Sequence, residues 1–192
     1  MSQFVGQVVD PAILARARRG EPKALEILYR TFGAAVQSLA SRILQRRDLA
    51  DEVLQDTFVE VIRHIPNYRG EAPIGAWIRS IAVNKCLMHL RSGWHRYGRA
   101  LDDAPEPEQP CNAPSVMAGR DLAAAFEELK PLSRSIVWLH DVEGYTHDEI
   151  AELMGKTKSF SKSQLARAHE RLRGLLEPEV VIEPCMQASK SY

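Results

Sequence analysis

The sequence predicts an all-α protein of two small helical domains joined by a flexible acidic linker. Three observations carry that expectation. Apolar residues on both sides of the chain recur every three or four positions, the helical period. Between them, Ala100 to Pro114 (ALDDAPEPEQPCNAP) holds four acidic residues, four prolines and no basic residue. Such a stretch has no apolar face, and its prolines remove backbone donors. Near the end, GYTHDEIAELMGKTKSFSKSQLARAHERLR reads as two short helices meeting at a glycine, the second rich in Lys and Arg. The expected divisions are a domain over residues 1–96, the linker over 97–118, a second domain over 119–177 and a tail over 178–192.

The elements follow in order. Asp10 and Pro11 open a short helix over Ile13 to Arg19, which Gly20 stops. Glu21-Pro22 starts a longer one, with Leu25, Leu28, Phe32, Val36, Leu39 and Ile43 at helical spacing. A third spans Asp48 to Ile65, with Leu54, Phe58, Val61, Ile62 and Ile65 expected inward, and Pro66 ends it. A fourth covers Pro73 to Leu90, with Ile74, Trp77, Ile78, Ile81 and Ala82 inward. Helical periodicity returns at Gly119 and continues to Leu176.

Within that last segment, Thr146-His147-Asp148-Glu149 has the S/T-x-x-E form of a capping box. Ile150, Leu153 and Met154 face inward, and Gly155 supplies the left-handed residue that ends the helix. The next helix is expected to begin at Ser159 to Ser161, burying Ser161, Leu165, Ala168, Leu172 and Leu176. From Lys156 to Arg173 six basic residues stand against one acidic residue. Two helices around a short glycine turn, the second basic, make a helix-turn-helix. In that geometry Lys162, Ser163 and Arg167 reach base edges in the major groove, while Lys156, Lys158 and Arg171 meet phosphates. The competing reading is a solvated basic helix in an α-bundle.

The whole chain of 192 residues carries 25 basic and 25 acidic side chains, so a nucleic-acid reader in a neutral protein implies an offsetting acidic surface. It lies at Asp48 to Glu60: Asp48, Asp51, Glu52, Asp56 and Glu60 with no Lys or Arg between. Glu52, Asp56 and Glu60 are four apart and line one helix face. A basic partner surface would relieve their repulsion; a solvated acidic face is the alternative. After it, Tyr68, Trp77, Trp94 and Tyr97 alternate with Arg69, Arg79, Lys85, Arg91, Arg96 and Arg99. Cations with aromatics hold single-stranded bases by neutralisation and stacking. Trp77 also reads as core, and Trp94 and Tyr97 as caps of the domain against the linker.

Other chemistries find no support. No run of about 18 apolar residues exists, so no membrane span is expected. The opening MSQFVGQVVDPAILARARRG lacks the pattern of a secretory leader. Cys86, Cys111 and Cys185 are far apart and odd in number, which argues for reduced thiols rather than disulfides or zinc. No metal, cofactor, phosphate loop or catalytic triad is expected, hence no enzyme.

Taken together, the segments resemble the extracytoplasmic-function sigma factors of bacterial RNA polymerase over residues 10–176. ADEVLQDTFVEVIRHIPNYRGEAPIGAWIRSIAVN looks like region 2 of that family, and PLSRSIVWLHDVEGYTHDEIAELMG with LARAHERLRGLL looks like region 4. The resemblance implies a cytoplasmic promoter-specificity subunit that is monomeric when free. Its partners would be core polymerase (the β′ clamp helices and the β flap), promoter DNA and an anti-sigma factor. Asp51, Glu52, Gln55, Asp56 and Glu60 would dock on polymerase. Trp77, Arg79, Asn84, Lys85, Arg91 and Arg96 would recognise and melt the −10 element, with Asn84 beside the flipped-out base. Lys158, Ser159, Phe160, Lys162, Ser163, Gln164, Arg167 and Arg171 would bind the −35 duplex. The linker would thread the polymerase channels. At ~3.3–3.6 Å per residue its reach of roughly 75 Å exceeds the roughly 35–70 Å between the two elements.

The chain departs from the family in places. Ser159, Phe160 and Ser161 stand where Gly-Thr-Val is common, and Ala166 where a larger side chain is common. Ser161 on the buried face needs a hydrogen-bond partner, which an N-cap role would supply. Two rival functions remain: a sigma-like decoy or adaptor that binds an anti-sigma factor without initiating, and a dimeric helix-turn-helix repressor.

Overall fold

The computed structural model describes residues 3–4, 6–96 and 122–176, with only the backbone of 92–96. The expected linker and tail lie outside the described residues. Among the described residues, eight α-helices follow one another: α1 (Pro11–Arg18), α2 (Pro22–Leu44), α3 (Arg47–His64), α4 (Ile74–Arg96), α5 (Leu122–Glu127), α6 (Pro131–Val137), α7 (His147–Met154) and α8 (Lys158–Leu176). No strand occurs among the described residues.

The starts and stops have local causes. The Asp10 carboxylate accepts from the Ala12 amide at 2.7 Å, and Pro11 occupies the first helical position, where its missing N–H is no loss. Pro22 begins α2 the same way. Gln45 closes α2 in the left-handed region at φ 52°, its amide donating to the Ser41 carbonyl. Pro66 turns the end of α3 into a single 3₁₀ turn over Ile65–Asn67.

α2, α3 and α4 form the N-terminal bundle around Leu28, Phe32, Val36, Leu39, Ile43, Val53, Phe58, Val61, Ile78, Ala82 and Cys86, all buried. Burying one such apolar side chain contributes about 1.5–3 kcal/mol. Burial also pushes the Cys86 thiol up to about 12, so it is a core residue rather than a reactive one. Phe4 stacks on Phe32 at 6.5 Å between centroids, and its carbonyl crosses the start of α4 at Gly75. A Cβ at Gly75 would lie 2.7 Å from that oxygen.

Ile62 corrects the expected inward set, being 52% exposed. The buried stripe of α3 centres on Ala50, Val53, Thr57 and Val61. At 100° per residue, Ile62 lies about 40° beyond buried Phe58 at its rim.

The C-terminal half packs α5, α6, α7 and α8 around Ile136, Leu139, Ile150, Leu165, Ala168, Leu172 and Leu175. α6 runs into a π turn over Trp138–Val142, closed by the Glu143 amide on the Trp138 carbonyl at 3.0 Å. The capping box is present in full: Thr146 Oγ1 accepts from the Glu149 amide, and the Glu149 carboxylate accepts from the Thr146 amide at 2.8 Å. Gly155 is left-handed at φ 64°.

The start of α8 is a second correction. It begins at Lys158, not at Ser159 to Ser161, because Thr157 Oγ1 accepts from the Phe160 amide at 3.1 Å and so caps it. Ser161 lies inside the first turn, 1% exposed, and finds its partner in His147 Nδ1 at 3.0 Å.

The two halves touch. Arg134 of α6 is buried against the end of α2, donating to the Ile43 carbonyl at 3.2 Å, to the Leu129 carbonyl at 3.1 Å and to the Gln45 side chain. Desolvation lowers its pKa to about 10, opposed by the nearby Glu127 carboxylate.

Candidate polymerase and promoter interface

Three surfaces emerge, each set by one helix. The first is the outward side of α3, where Asp51, Glu52, Gln55 and Asp56 are exposed. Asp51 accepts from Gln37 Nε2 at 2.7 Å, which fixes one end. Val59, 42% exposed, and Ile62 lie on the same outward side. The acidic pattern alone did not single them out; exposed apolar residues among carboxylates are the signal that would have. Glu60 stands apart from this set. It is only half-exposed and ringed by Lys85 at 3.4 Å, His64 at 3.0 Å and Arg63 at 3.6 Å. The Lys85 hydrogen bond outweighs desolvation and lowers its pKa.

The second surface belongs to α4, and the expected −10 residues divide there. Asn84 is exposed, with Nδ2 donating to the Ser80 carbonyl at 3.0 Å. Met88 and Arg91 continue its face at helical spacing, both exposed. Met88 was not foreseen, because a lone apolar residue carries no charge signature. Trp77 is half-buried, tilted on Tyr68 at 5.3 Å. Lys85 is turned towards α3, between Glu60 and Asp56. Arg79 points into the other half: Nη1 donates to the Glu143 carbonyl at 2.6 Å, and the guanidinium lies 4.8 Å from the Tyr145 ring centroid. Arg91 donates to the Leu153 carbonyl at the end of α7. The Arg96 side chain lies outside the described residues, as do Trp94 and Tyr97.

The third surface is the outer side of α8. Ser159, Lys162, Ser163 and Arg167 are exposed. Lys158 is held by Asp148 at 2.7 Å, and Lys156 lies over the half-buried Phe160 ring at 5.4 Å. Gln164 is half-buried at 3.5 Å from Ser133 Oγ, and Arg171 is half-buried. α7 lies across the inner side of α8, so the arrangement is a helix-turn-helix with its second helix presented outward. A basic helix so presented is built to enter a DNA groove.

Comparison with known proteins agrees with that geometry. Sigma-70 region 2 matches residues 28–96, and Sigma-70, region 4 matches residues 119–172. The RNA polymerase sigma factor CarQ of Myxococcus xanthus is 30% identical over 165 residues, 85% of this chain and 95% of its own. The chain belongs to the extracytoplasmic-function group of the sigma-70 family. It is a sigma factor, acting in transcription initiation. The sigma-E factor of Haemophilus influenzae is 26% identical over 187 residues, covering 90% of this sigma factor and 97% of its relative. Two solved structures share the fold: RpoE of Bartonella quintana with the anti-sigma factor NepR (TM-score 0.53, 21% identity, 80% and 96% covered), and CnrH with the cytosolic domain of CnrY (TM-score 0.51, 21% identity, 85% and 94% covered). Among the described residues of this sigma factor, no helix is long and apolar enough to cross a membrane.

Proposed function

We propose that this sigma factor docks on core RNA polymerase through the outward side of α3, reads −35 duplex with α8, and captures the melted −10 strand along α4. What carries the reading is the separation of two oppositely charged helix surfaces on one chain: exposed carboxylates around Val59 and Ile62 on α3, and Lys162, Ser163 and Arg167 on α8. Apolar residues within an acidic rim suit the basic and apolar face of a helical partner. The β′ clamp helices are the proposed partner for α3, the β flap for the C-terminal half, and an anti-sigma factor for the free protein.

Within that reading, Glu52, Gln55, Asp56, Val59 and Ile62 are the primary docking residues, Asp51 is held at the edge, and Glu60 shapes the surface through Lys85. Asn84, Met88 and Arg91 form the −10 face, with Trp77 as its floor and Arg96 beyond it. Arg79 joins that face when its hold on Glu143 is released, and Arg91 is freed for it when its bond to the Leu153 carbonyl opens. Opening each stacked step costs roughly 1.4 kcal/mol, which strand capture and polymerase contacts must offset. No reaction on substrate is assigned to the chain, and its place of work is the cytoplasm, where the promoter is. The proposed domain limits remain residues 1–96 and 119–177, with 97–118 as tether.

The test is transcription in vitro with purified core polymerase, the full-length protein and a pool of genomic fragments. Promoter-dependent transcripts are expected. Their absence, with the protein still bound to an anti-sigma factor, would favour the decoy reading.

A further inference from the structure

Three histidines and one carboxylate meet where α8 rests on the π turn and the start of α7. His169 Nε2 lies 2.6 Å from Asp141 Oδ2, and His140 Nδ1 lies 2.7 Å from Asp141 Oδ1. The His140 ring stacks on His147 at 4.6 Å, and His147 Nδ1 reaches buried Ser161 at 3.0 Å. Among the described residues these groups are not arranged to hold a metal ion. Their placement is mechanical. His147 opens α7 and grips the first turn of α8, whereas Asp141, in the π turn, grips α8 near its middle. Two separate links therefore fix the tilt of the outward helix.

We propose that His147 and the Asp141–His169 bridge position α8 for −35 recognition, and that protonation of His147 releases the first turn of α8 and weakens duplex binding in acid. This rests on the reading of α8 as the −35 helix. The surroundings decide the sign. Lys158 and Lys162 of α8 and the stacked His140 face His147; Asp148 also faces it but already holds Lys158. Of the other neighbouring elements, α6 offers the uncharged Ser133 to Gln164, and Arg79 of α4 is taken by Glu143 and Tyr145. Lys158 and Asp148 offset each other, so a cation at His147 meets Lys162 of the first turn of α8 without a counter-charge, and that repulsion is what loosens the turn. Desolvation first, then these cations, lowers the His147 pKa from its ordinary 6.5. The contribution of neutral His147 is therefore whole above that value and is lost as pH falls from it towards the lower folded value. The other link does not depend on His147: the Asp141 carboxylate holds His169 Nε2 at 2.6 Å, so the middle of α8 stays pinned while its first turn loosens. Asp141 itself is opposed by desolvation, yet the hydrogen bonds from His140 and His169 keep its pKa lowered, and it stays ionised over this range.

The experiment uses holoenzyme reconstituted from the full chain on paired templates, one with the −35 element and one with it scrambled. The −35-dependent ratio for wild type is expected to fall about fivefold between about pH 7.5 and about pH 5.5. For His147→Gln, whatever its level at the higher pH, the ratio should be flat. For Asp141→Asn the ratio should be lower throughout while keeping the wild-type slope. In wild type, ring titration of His147 by NMR should share its midpoint with the amide shifts of residues 159–163. A His147→Gln profile superimposable on wild type, or unlinked midpoints should that variant not fold, would overturn the proposal. If wild type ignores the −35 element at the higher pH and Arg167→Ala changes nothing, the recognition-helix reading has failed, and this inference falls with it.

Discussion

Arg79 and Glu143, 64 positions apart, are joined twice: Arg79 Nη1 donates to the Glu143 carbonyl at 2.6 Å and lies 3.7 Å from its carboxylate. The Glu143 side chain is 3% exposed and also accepts from Trp138 Nε1 at 3.2 Å. A cation of the proposed −10 face is thus occupied by the C-terminal half. Glu143→Gln keeps the shape and removes the charge. The free full-length protein should then bind a −10 single strand about fivefold more tightly, equivalent to ~1 kcal/mol. Fluorescence anisotropy with a labelled oligonucleotide checks this; unchanged affinity would mean that the contact does not compete with DNA.

Arg134 fastens the halves at a second place. Its guanidinium satisfies the Ile43 carbonyl at the end of α2 and the Leu129 carbonyl before α6. Arg134→Met fills much of the same space but leaves those carbonyls without this donor. An unsatisfied buried acceptor costs about 1–3 kcal/mol. Urea unfolding should show a loss of that size, and a neutral result would mean that water replaces the guanidinium.

The helical skeleton was legible in the sequence because its rules are local. Asp10-Pro11, Pro22, Pro66 and the Thr146–Glu149 box each act within one turn, and the apolar spacing of α2 marked its buried stripe without help from elsewhere. What was not legible depends on neighbours far along the chain. Arg79 and Lys85 looked alike as cations among aromatics; their turning towards Glu143 and Glu60 is fixed by how α4 packs, not by its own pattern. Ser161 showed a need for a partner, but His147 could not be chosen from spacing. Ile62 satisfied an apolar-spacing rule while lying past the rim of its stripe, and Val59 went unnoticed because the docking surface was sought in carboxylates alone.

Gly75 tests the crossing of the N-terminal segment over α4. A methyl there would lie 2.7 Å from the Phe4 carbonyl and 2.9 Å from the Phe32 ring. One neighbour is backbone and the other a fully buried ring, so neither yields easily. Gly75→Ala should destabilise by about 1–3 kcal/mol, read as a lower midpoint in thermal unfolding, with Phe4 displaced from Phe32. An unchanged midpoint would mean that the segment moves aside freely.

Polymerase docking is best tested away from Glu60, the nearer of the two carboxylates around Lys85 at 3.4 Å against 3.9 Å for Asp56. Glu52→Lys with Asp56→Lys reverses two exposed charges on the outward side of α3, and Ile62→Ser removes its apolar centre. Exposed single ion pairs are weak, about 0.2–1 kcal/mol each, so the double reversal should weaken core binding roughly tenfold by adding repulsion. Ile62→Ser should do so without changing the salt dependence. Core polymerase capture by the tagged protein over a salt series separates the two effects, and wild-type binding by both would move the docking surface off α3.

Arg167 is the sharpest probe of α8. It is exposed on the outer side, one turn beyond Ser163, and takes no part in burying the helix against α7. Arg167→Ala should therefore leave folding and core binding intact. If the guanidinium reads a base edge, its loss should reduce initiation from a −35-bearing promoter by about 5–150-fold, the range of one bidentate contact at ~1–3 kcal/mol, and should relax preference at one base position. If it only meets phosphate, initiation should fall uniformly across −35 sequences and the salt dependence should become shallower. Lys162→Ala on the same templates is the control for a charge near the start of the helix. Initiation from a randomised −35 library by wild type and both variants distinguishes these outcomes, and a library profile untouched by either substitution would place −35 recognition somewhere other than the outer side of α8.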